Sequence, residues 1–235
     1  MMEAKRTFDL IASGVGFLIL SPLIASIAFA IFIEDGGSPF FRQIRIGRYG
    51  RPFSMIKLRT MVHDAQQRGG VLTVGDDPRI TRIGGWIRRY KIDELPQLLN
   101  VLKGEMSLVG PRPEVPYYVN QYTPSQQKVL YLIPGITDPA SIAYRHESQL
   151  LNESSDPEKI YVNVIMPRKN EINLAYAQSA TLATDIRTIF HTLSHIIDWG
   201  LSRPQDLDLG LTPIIDIRYE APVVGSSGDY DVRRR

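Results

Sequence analysis

Asp93 and Glu94 stand side by side in a chain of 235 residues whose first half is dense in arginine. Adjacent carboxylates at the start of a helix have a plain structural use. Asp93 reads as the N-cap of a helix from about Glu94 to Lys103, ended by Gly104, and Glu94 is a favourable first-turn charge. The same geometry also suits chemistry. A helix N-terminus keeps a carboxylate ionised and attracts phosphate, and a carboxylate that attacks phosphorus is a known covalent catalyst. Repulsion between the two anions must then be offset. The cations on offer are Lys57, Arg59, Arg79, Arg88 and Arg112, and a magnesium ion held by Asp93 and Glu94 would add to them.

The elements that must position these groups follow from pattern. Pro39 to Ile46 and Phe53 to Met61 read as two strands of a hairpin around the turn Gly47 to Pro52. The two-residue period places Lys57 and Arg59 on one face, where they serve an anion or simply meet solvent. Ile83, Trp86, Ile87 and Tyr90 recur at helical spacing, leaving Arg88, Arg89 and Lys91 on the polar side. Pro111-Arg112-Pro113 holds one arginine rigidly in a loop. Further on, Ile186, Ile189, Phe190, Leu193, Ile196 and Ile197 form an apolar helical stripe. It either faces a core or lies in a membrane interface.

Leu10 to Ile33 reads LIASGVGFLILSPLIASIAFAIFI, without a charge over about 24 residues, long enough for a bilayer helix. Ser21-Pro22 lies at its centre, where proline is expected to bend or break the helix. Lys5 and Arg6 precede the stretch; Arg42, Arg45, Arg48 and Arg51 follow it. Basic residues mark the cytoplasmic side, and here both flanks are basic. A helix that enters, turns at Ser21-Pro22 and leaves by the same face reconciles these facts; a single kinked spanning helix is the rival. The apolar core is too long for a signal peptide and lacks a small-residue cleavage site.

Composition removes other classes. There is no cysteine, so disulfides, thiolate metal sites and cysteine nucleophiles are excluded. The four histidines have no zinc-like spacing. A net charge of +2 does not argue for nucleic acid. The expected organisation is a membrane helix-break-helix at 1–36, a catalytic domain at 37–201 and an extension at 202–235. The last residues of that extension, Gly225 to Arg235, are expected from their composition to be disordered, with a basic end suited to anionic lipid.

Several stretches together resemble the bacterial sugar transferases, or monotopic phosphoglycosyl transferases. They are KRTFD (Lys5 to Asp9), Ser21-Pro22, FSMIKLRTM (Phe53 to Met61), the run from Asp77 to Glu114 and PGIT (Pro134 to Thr137). The resemblance covers roughly Lys5 to Asp198 in unbroken order. It implies an α/β, mostly helical cytoplasmic domain with a re-entrant N-terminal helix and amphipathic interfacial helices. It also implies transfer of a phospho-sugar from a UDP-sugar to polyprenyl phosphate, with release of UMP. Asp93 would be the nucleophile, with Glu94 assisting through Mg2+ or the lipid phosphate. Lys57, Arg59, Arg79, Arg88, Pro111, Arg112, Pro113 and Arg145 would bind substrate, and Lys5, Arg6, Ser21 and Pro22 would set the membrane course. The setting implied is the inner membrane of a bacterium, with its lipid as a partner, no nucleic acid, and a homodimer left open. Many relatives continue PGIT with glycine, an aromatic and glutamine. Here Asp138 to Glu147 departs from that pattern, so no sugar preference carries over. The rival class is a non-catalytic membrane scaffold or anionic-lipid binder of the same fold.

Overall fold

The computed structural model describes residues 2–68, 72–73 and 77–201. The extension at 202–235, with its basic end, lies outside the described residues.

The chain opens with helix α1, Met2–Asp35, and Pro22 lies inside it. The expected break at Ser21-Pro22 is absent from the backbone, which stays helical throughout. The reason is local. Proline cannot donate to the carbonyl of Leu18, and the Ser21 hydroxyl donates to that oxygen instead, at 2.9 Å. One face of α1 packs on the domain along its length, through Asp9, Ser13, Ile24, Ile27, Ala28 and Ile31. The opposite face leaves Ile11, Val15, Leu18, Ile19, Phe29 and Ile33 exposed. That is an apolar stripe at helical spacing on the outside of the molecule.

Strands β1 (Phe40–Ile46) and β2 (Pro52–Leu58) pair antiparallel, as the alternation predicts. The second strand ends at Leu58, three residues short of the expected Met61. Beyond it, Thr60 is met so closely by Gly84 that a Cβ there would lie 2.0 Å from the Thr60 oxygen. A short helix α2 (Ala65–Arg68) leads to α3 (Arg82–Arg89), capped by the Thr81 hydroxyl, which accepts from the Gly84 amide. Ile87 is the fully buried residue of the predicted stripe, while Trp86 is exposed.

Lys91 then adopts a left-handed conformation, φ 55°, and starts a 3-10 turn over Ile92–Gln97. Asp93 therefore lies inside the first turn and is not its cap; the cap position belongs to Lys91. Helix α4 (Leu98–Lys103) continues the segment and ends at Gly104 with φ 86°, as expected of a glycine stop. It runs along α1: Leu98 lies against Gly16, Leu102 against Gly14, and Arg6 donates to the carbonyl of Val101.

Strand β3 (Ser107–Val109) comes next, followed by α5 (Pro116–Val119) and a 3-10 turn at Gln126–Tyr131. Strand β4 (Gly135–Thr137) pairs parallel with β3. Gly110 and Gly135 approach so closely that a Cβ on Gly135 would sit 2.1 Å from the Gly110 nitrogen. The second half is helical: α6 (Pro139–Ala143), α7 (Glu147–Asn152), α8 (Pro157–Ile160), a π turn at Tyr161–Ile165, α9 (Met166–Ser179) and α10 (Leu182–Leu201). In α10 the buried residues are Asp185 and Thr188, while Phe190 and Leu193 are exposed. Of the apolar stripe, Phe190 and Leu193 are exposed while Ile186, Ile189 and Ile196 are half-buried.

Candidate active site

Four elements converge on the two carboxylates. The 3-10 turn supplies Asp93 and Glu94, both buried. Strand β2 supplies Lys57, whose Nζ lies 2.9 Å from Glu94 Oε1 and 3.9 Å from Asp93 Oδ2. The loop after β3 supplies Arg112, which donates to Glu94 through both nitrogens, at 2.6 and 3.2 Å. Helix α3 supplies Arg88, which is close enough to Asp93 and Asp77 to feel both charges.

Asn100 holds β2 against this turn. Its Oδ1 accepts from the Ile56 amide at 3.1 Å and its Nδ2 donates to the Ser54 carbonyl at 2.8 Å. Lys57 is thereby fixed relative to Glu94. The parallel β3–β4 pair fixes the other wall, with the Gly135 amide donating to the Pro111 carbonyl at 2.9 Å. Sequence patterning missed Asn100, because its partners lie far off in the chain and no local period marks it.

The two carboxylates are not equivalent. Burial works to raise the Glu94 carboxyl, but Arg112 and then Lys57 outweigh it and hold the group well below its ordinary range. Burial raises Asp93, and Lys57 only partly offsets that. Glu94 is thus an anion held in a cationic clamp, while Asp93 Oδ1 is buried and makes no hydrogen bond among the described residues. Environments that push paired carboxylates apart are a mark of divided roles.

The other expected site residues divide. Pro111 and Pro113 flank Arg112, the Pro111 carbonyl accepting from the Gly135 amide and the Pro113 carbonyl from Arg45. Arg88 contacts the Thr73 hydroxyl at 3.5 Å and forms no ion pair among the described residues, so its charge is available to an anion. Arg59 does not share a face with Lys57. Past the end of β2 its guanidinium turns to Asp35 at the close of α1 and to the Ser38 carbonyl. Arg79 is held by Asp77 and donates to the Leu72 carbonyl, an anchor for its own loop. Arg145 is exposed in the turn between α6 and α7 and forms no ion pair among the described residues. Among the described residues, Arg59 bonds Asp35, Ser38 and Met61, and Arg79 bonds Asp77, Ala65 and Leu72. At the membrane end, Lys5 bonds the Val109 carbonyl and Asp185, and Arg6 bonds the Val101 carbonyl.

The profile of the family described as bacterial sugar transferase matches residues 1–199. The chain belongs to that family. Among its relatives, a protein of Bacillus subtilis (strain 168) named uncharacterized sugar transferase EpsL is 44% identical over 62% of this chain and 71% of its own length. The UDP-N-acetylgalactosamine-undecaprenyl-phosphate N-acetylgalactosaminephosphotransferase of Aeromonas hydrophila is 33% identical over 82% of this chain. The UDP-glucose:undecaprenyl-phosphate glucose-1-phosphate transferase of Escherichia coli (strain K12) is 32% identical over 80%. The chain spans 43% and 39% of the length of these last two. As a bacterial sugar transferase it is an enzyme of the phosphoglycosyl transferase class.

In this transferase the site has a testable pH signature. Burial draws the Lys57 ammonium down to about 8, with Glu94 resisting. Below that pH Lys57 is a cation beside both carboxylates; above it the charge is lost. The raised Asp93 loses its ionised form on the acid side, above the ordinary aspartate range. The expected kcat/KM profile is a bell whose alkaline limb falls through about pH 8. Lys57→Arg retains a cation at all accessible pH and is expected to move that limb upward. Steady-state rates from pH 5 to 10 check this, and an unchanged alkaline limb in the arginine variant would remove Lys57 from the profile.

Proposed function

We propose that this chain transfers a phospho-sugar from a UDP-sugar to polyprenyl phosphate in two steps through an aspartyl-phosphosugar on Asp93. The observation that carries the reading is the unequal pair: Glu94 clamped by Arg112 and Lys57, and Asp93 buried with Oδ1 unpartnered. The relatives' names supply the substrate class, a UDP-sugar and undecaprenyl phosphate.

In the first step an Asp93 oxygen forms a bond to the phosphorus that carries the sugar. The P–O bond to the departing UMP breaks, and UMP leaves with the electron pair. In the second step an oxygen of the lipid phosphate attacks the same phosphorus, and the Asp93 carboxylate is released. Arg88 and Lys57 stand where an incoming diphosphate would place its charge. Arg112 keeps Glu94 ionised and fixed, so that Glu94 reinforces the cationic wall's position and repels misplaced anions.

Among the described residues no three carboxylates or imidazoles converge into a metal cage. Mg2+ does not need one, since it commonly takes one or two carboxylates plus phosphate oxygens and water. Asp93 Oδ1, buried and unpartnered, fits as one such donor, which would leave Oδ2 for the attack on phosphorus; Glu94 would join it only by giving up a hydrogen bond to Arg112. A magnesium ion held there by Asp93 would supply charge neutralisation to the diphosphate.

Helix α1 serves as the anchor. It is the one helix among the described residues long and apolar enough to cross a membrane. Yet Lys5 and Arg6 near its start and Asp35 at its end all bond the same catalytic domain. A spanning helix would part those ends across the bilayer. This supports a monotopic seat on the cytoplasmic face of the inner membrane, with the exposed α1 stripe and the Phe190–Leu193 face of α10 toward lipid. Cysteines introduced near residue 2 and near residue 45 are expected to escape an impermeant external reagent in intact cells and to react after lysis. External labelling of the first would defeat this course.

The reaction itself is tested with a panel of UDP-sugars, polyprenyl phosphate and Mg2+, reading UMP release, and by intact mass after UDP-sugar alone. A phospho-sugar adduct and ping-pong kinetics are expected. Sequential kinetics without adduct would defeat the covalent path.

A further inference from the structure

The loop that carries Arg112 is tied on its far side to a residue outside the site. The Arg45 guanidinium donates to the Pro113 carbonyl at 3.0 Å and lies 3.8 Å from Glu114 Oε2. The Ile46 amide donates to the Glu114 carbonyl at 2.8 Å. Glu114 Oε1 accepts from the hydroxyl of Tyr161, which comes from the π turn between α8 and α9. The Tyr161 ring is itself held by the Tyr118 ring, centroids 4.8 Å apart. Single π turns inside helices are often found at functional positions. Here the widened turn is where the second, helical half of the chain reaches the active-site loop.

We propose that Tyr161, acting through Glu114 and Arg45, is a positioning residue that aims the Arg112 fork at Glu94. The physical case is the geometry of that fork. A guanidinium binds a carboxylate through two parallel bonds, so its worth depends on angle as much as on distance. Arg112 has a proline on each side, which stiffens the loop but does not orient it. Orientation comes from the two ends: the Pro111 carbonyl bonded by the Gly135 amide, and the Pro113–Glu114 segment bonded by Arg45, Ile46 and Tyr161. Removing the Tyr161 hydroxyl leaves the Glu114 carboxylate held by Arg45 and the Val115 amide, and the loop turns about Pro113. This rests on the transferase reading above.

The test is Tyr161→Phe, which keeps the ring and its packing. Turnover is expected to fall about tenfold, chiefly in kcat, in line with the sensitivity of catalysis to small misplacements. Amide exchange across residues 110–115 is expected to quicken while that of α4 stays as it is. In an Arg112→Lys background, where a flexible point charge has no fork to aim, Tyr161→Phe is expected to add little further loss. Glu114→Gln, whose amide oxygen still accepts a hydrogen bond from the tyrosine hydroxyl, is expected to lose less than Tyr161→Phe. An unchanged loop exchange, or an equal loss of rate with arginine in place and in the Arg112→Lys background, overturns the proposal. Failure of the unmutated chain to release UMP counts against the transferase reading alone, because the exchange measurement is read without substrate.

Discussion

Asp93→Asn is expected to abolish transfer, by on the order of 10⁴-fold or more as for other deleted nucleophiles, and at the same time to stabilise the fold. The first half follows from chemistry: an amide has no carboxylate oxygen to attack phosphorus, and the mass adduct at this position must vanish. The second half follows from linkage. The folded-state value of Asp93 is raised above its unfolded one, mainly by burial. A raised carboxyl binds its proton more tightly when folded, so stability falls as pH rises through that window. The cost grows as the buried carboxyl ionises, and asparagine, which does not ionise, removes it. Oδ1 makes no hydrogen bond in the protein, so the substitution breaks none there. Thermal unfolding at pH 7 should show a higher Tm for Asp93→Asn, and the gap should narrow toward pH 4. A lower Tm would mean that the Lys57 contact outweighs burial, and Asp93 would then be a structural anion. Gain of stability with loss of function is the usual sign of a strained catalytic group.

The residues that were legible and those that were not differ in the range of the contact that defines them. Asp93, Glu94, Lys57, Arg88 and Arg112 could be named because their types suit phosphate and they flank recognisable turns and strands. What each does was less legible. Arg59 was placed beside Lys57 by the two-residue period, but the strand stops at Leu58, and the side chain turns instead to Asp35. Asp93 looked like an N-cap because nothing local says that Lys91 will take φ 55°. The break at Pro22 was expected from proline's missing donor. It is absent because the preceding serine supplies a substitute donor, a compensation that depends on one rotamer. The stripe on α10 was legible as apolar, but period alone does not tell a core from a lipid surface. The fold divides it, with Phe190 and Leu193 exposed and Ile186, Ile189 and Ile196 half-buried. Asn100, Glu114 and Tyr161 left no signal at all, since each acts through partners distant in sequence.

Arg112→Ala is expected to reduce turnover by at least about 100-fold, on the scale of losing one preorganised donor from a charged site, and also to destabilise the protein. Both effects are expected from the pair that Arg112 makes with Glu94. Arg112 bonds Glu94 through two nitrogens, and the Glu94 anion beside it raises the arginine further. Removing the fork leaves a buried carboxylate with Lys57 as its remaining bonded cation. Breaking a buried pair from one side typically costs about 3–5 kcal/mol, because the other charge stays buried without its partner. A fall in Tm with Arg112→Ala therefore does not by itself separate a catalytic arginine from a structural one. The double variant Arg112→Ala with Glu94→Gln does. Glutamine removes the stranded charge, so Tm should recover most of its loss, while turnover should stay as low as in Arg112→Ala or fall further. Recovery of both would assign Arg112 to folding alone. Recovery of neither would mean that the loop between Pro111 and Pro113 needs the guanidinium for its shape, independent of Glu94. With stability restored and activity still absent, the arginine and the glutamate act together: the ion pair holds Glu94 ionised and in place beside Asp93, and that arrangement is what the substrate's phosphates meet.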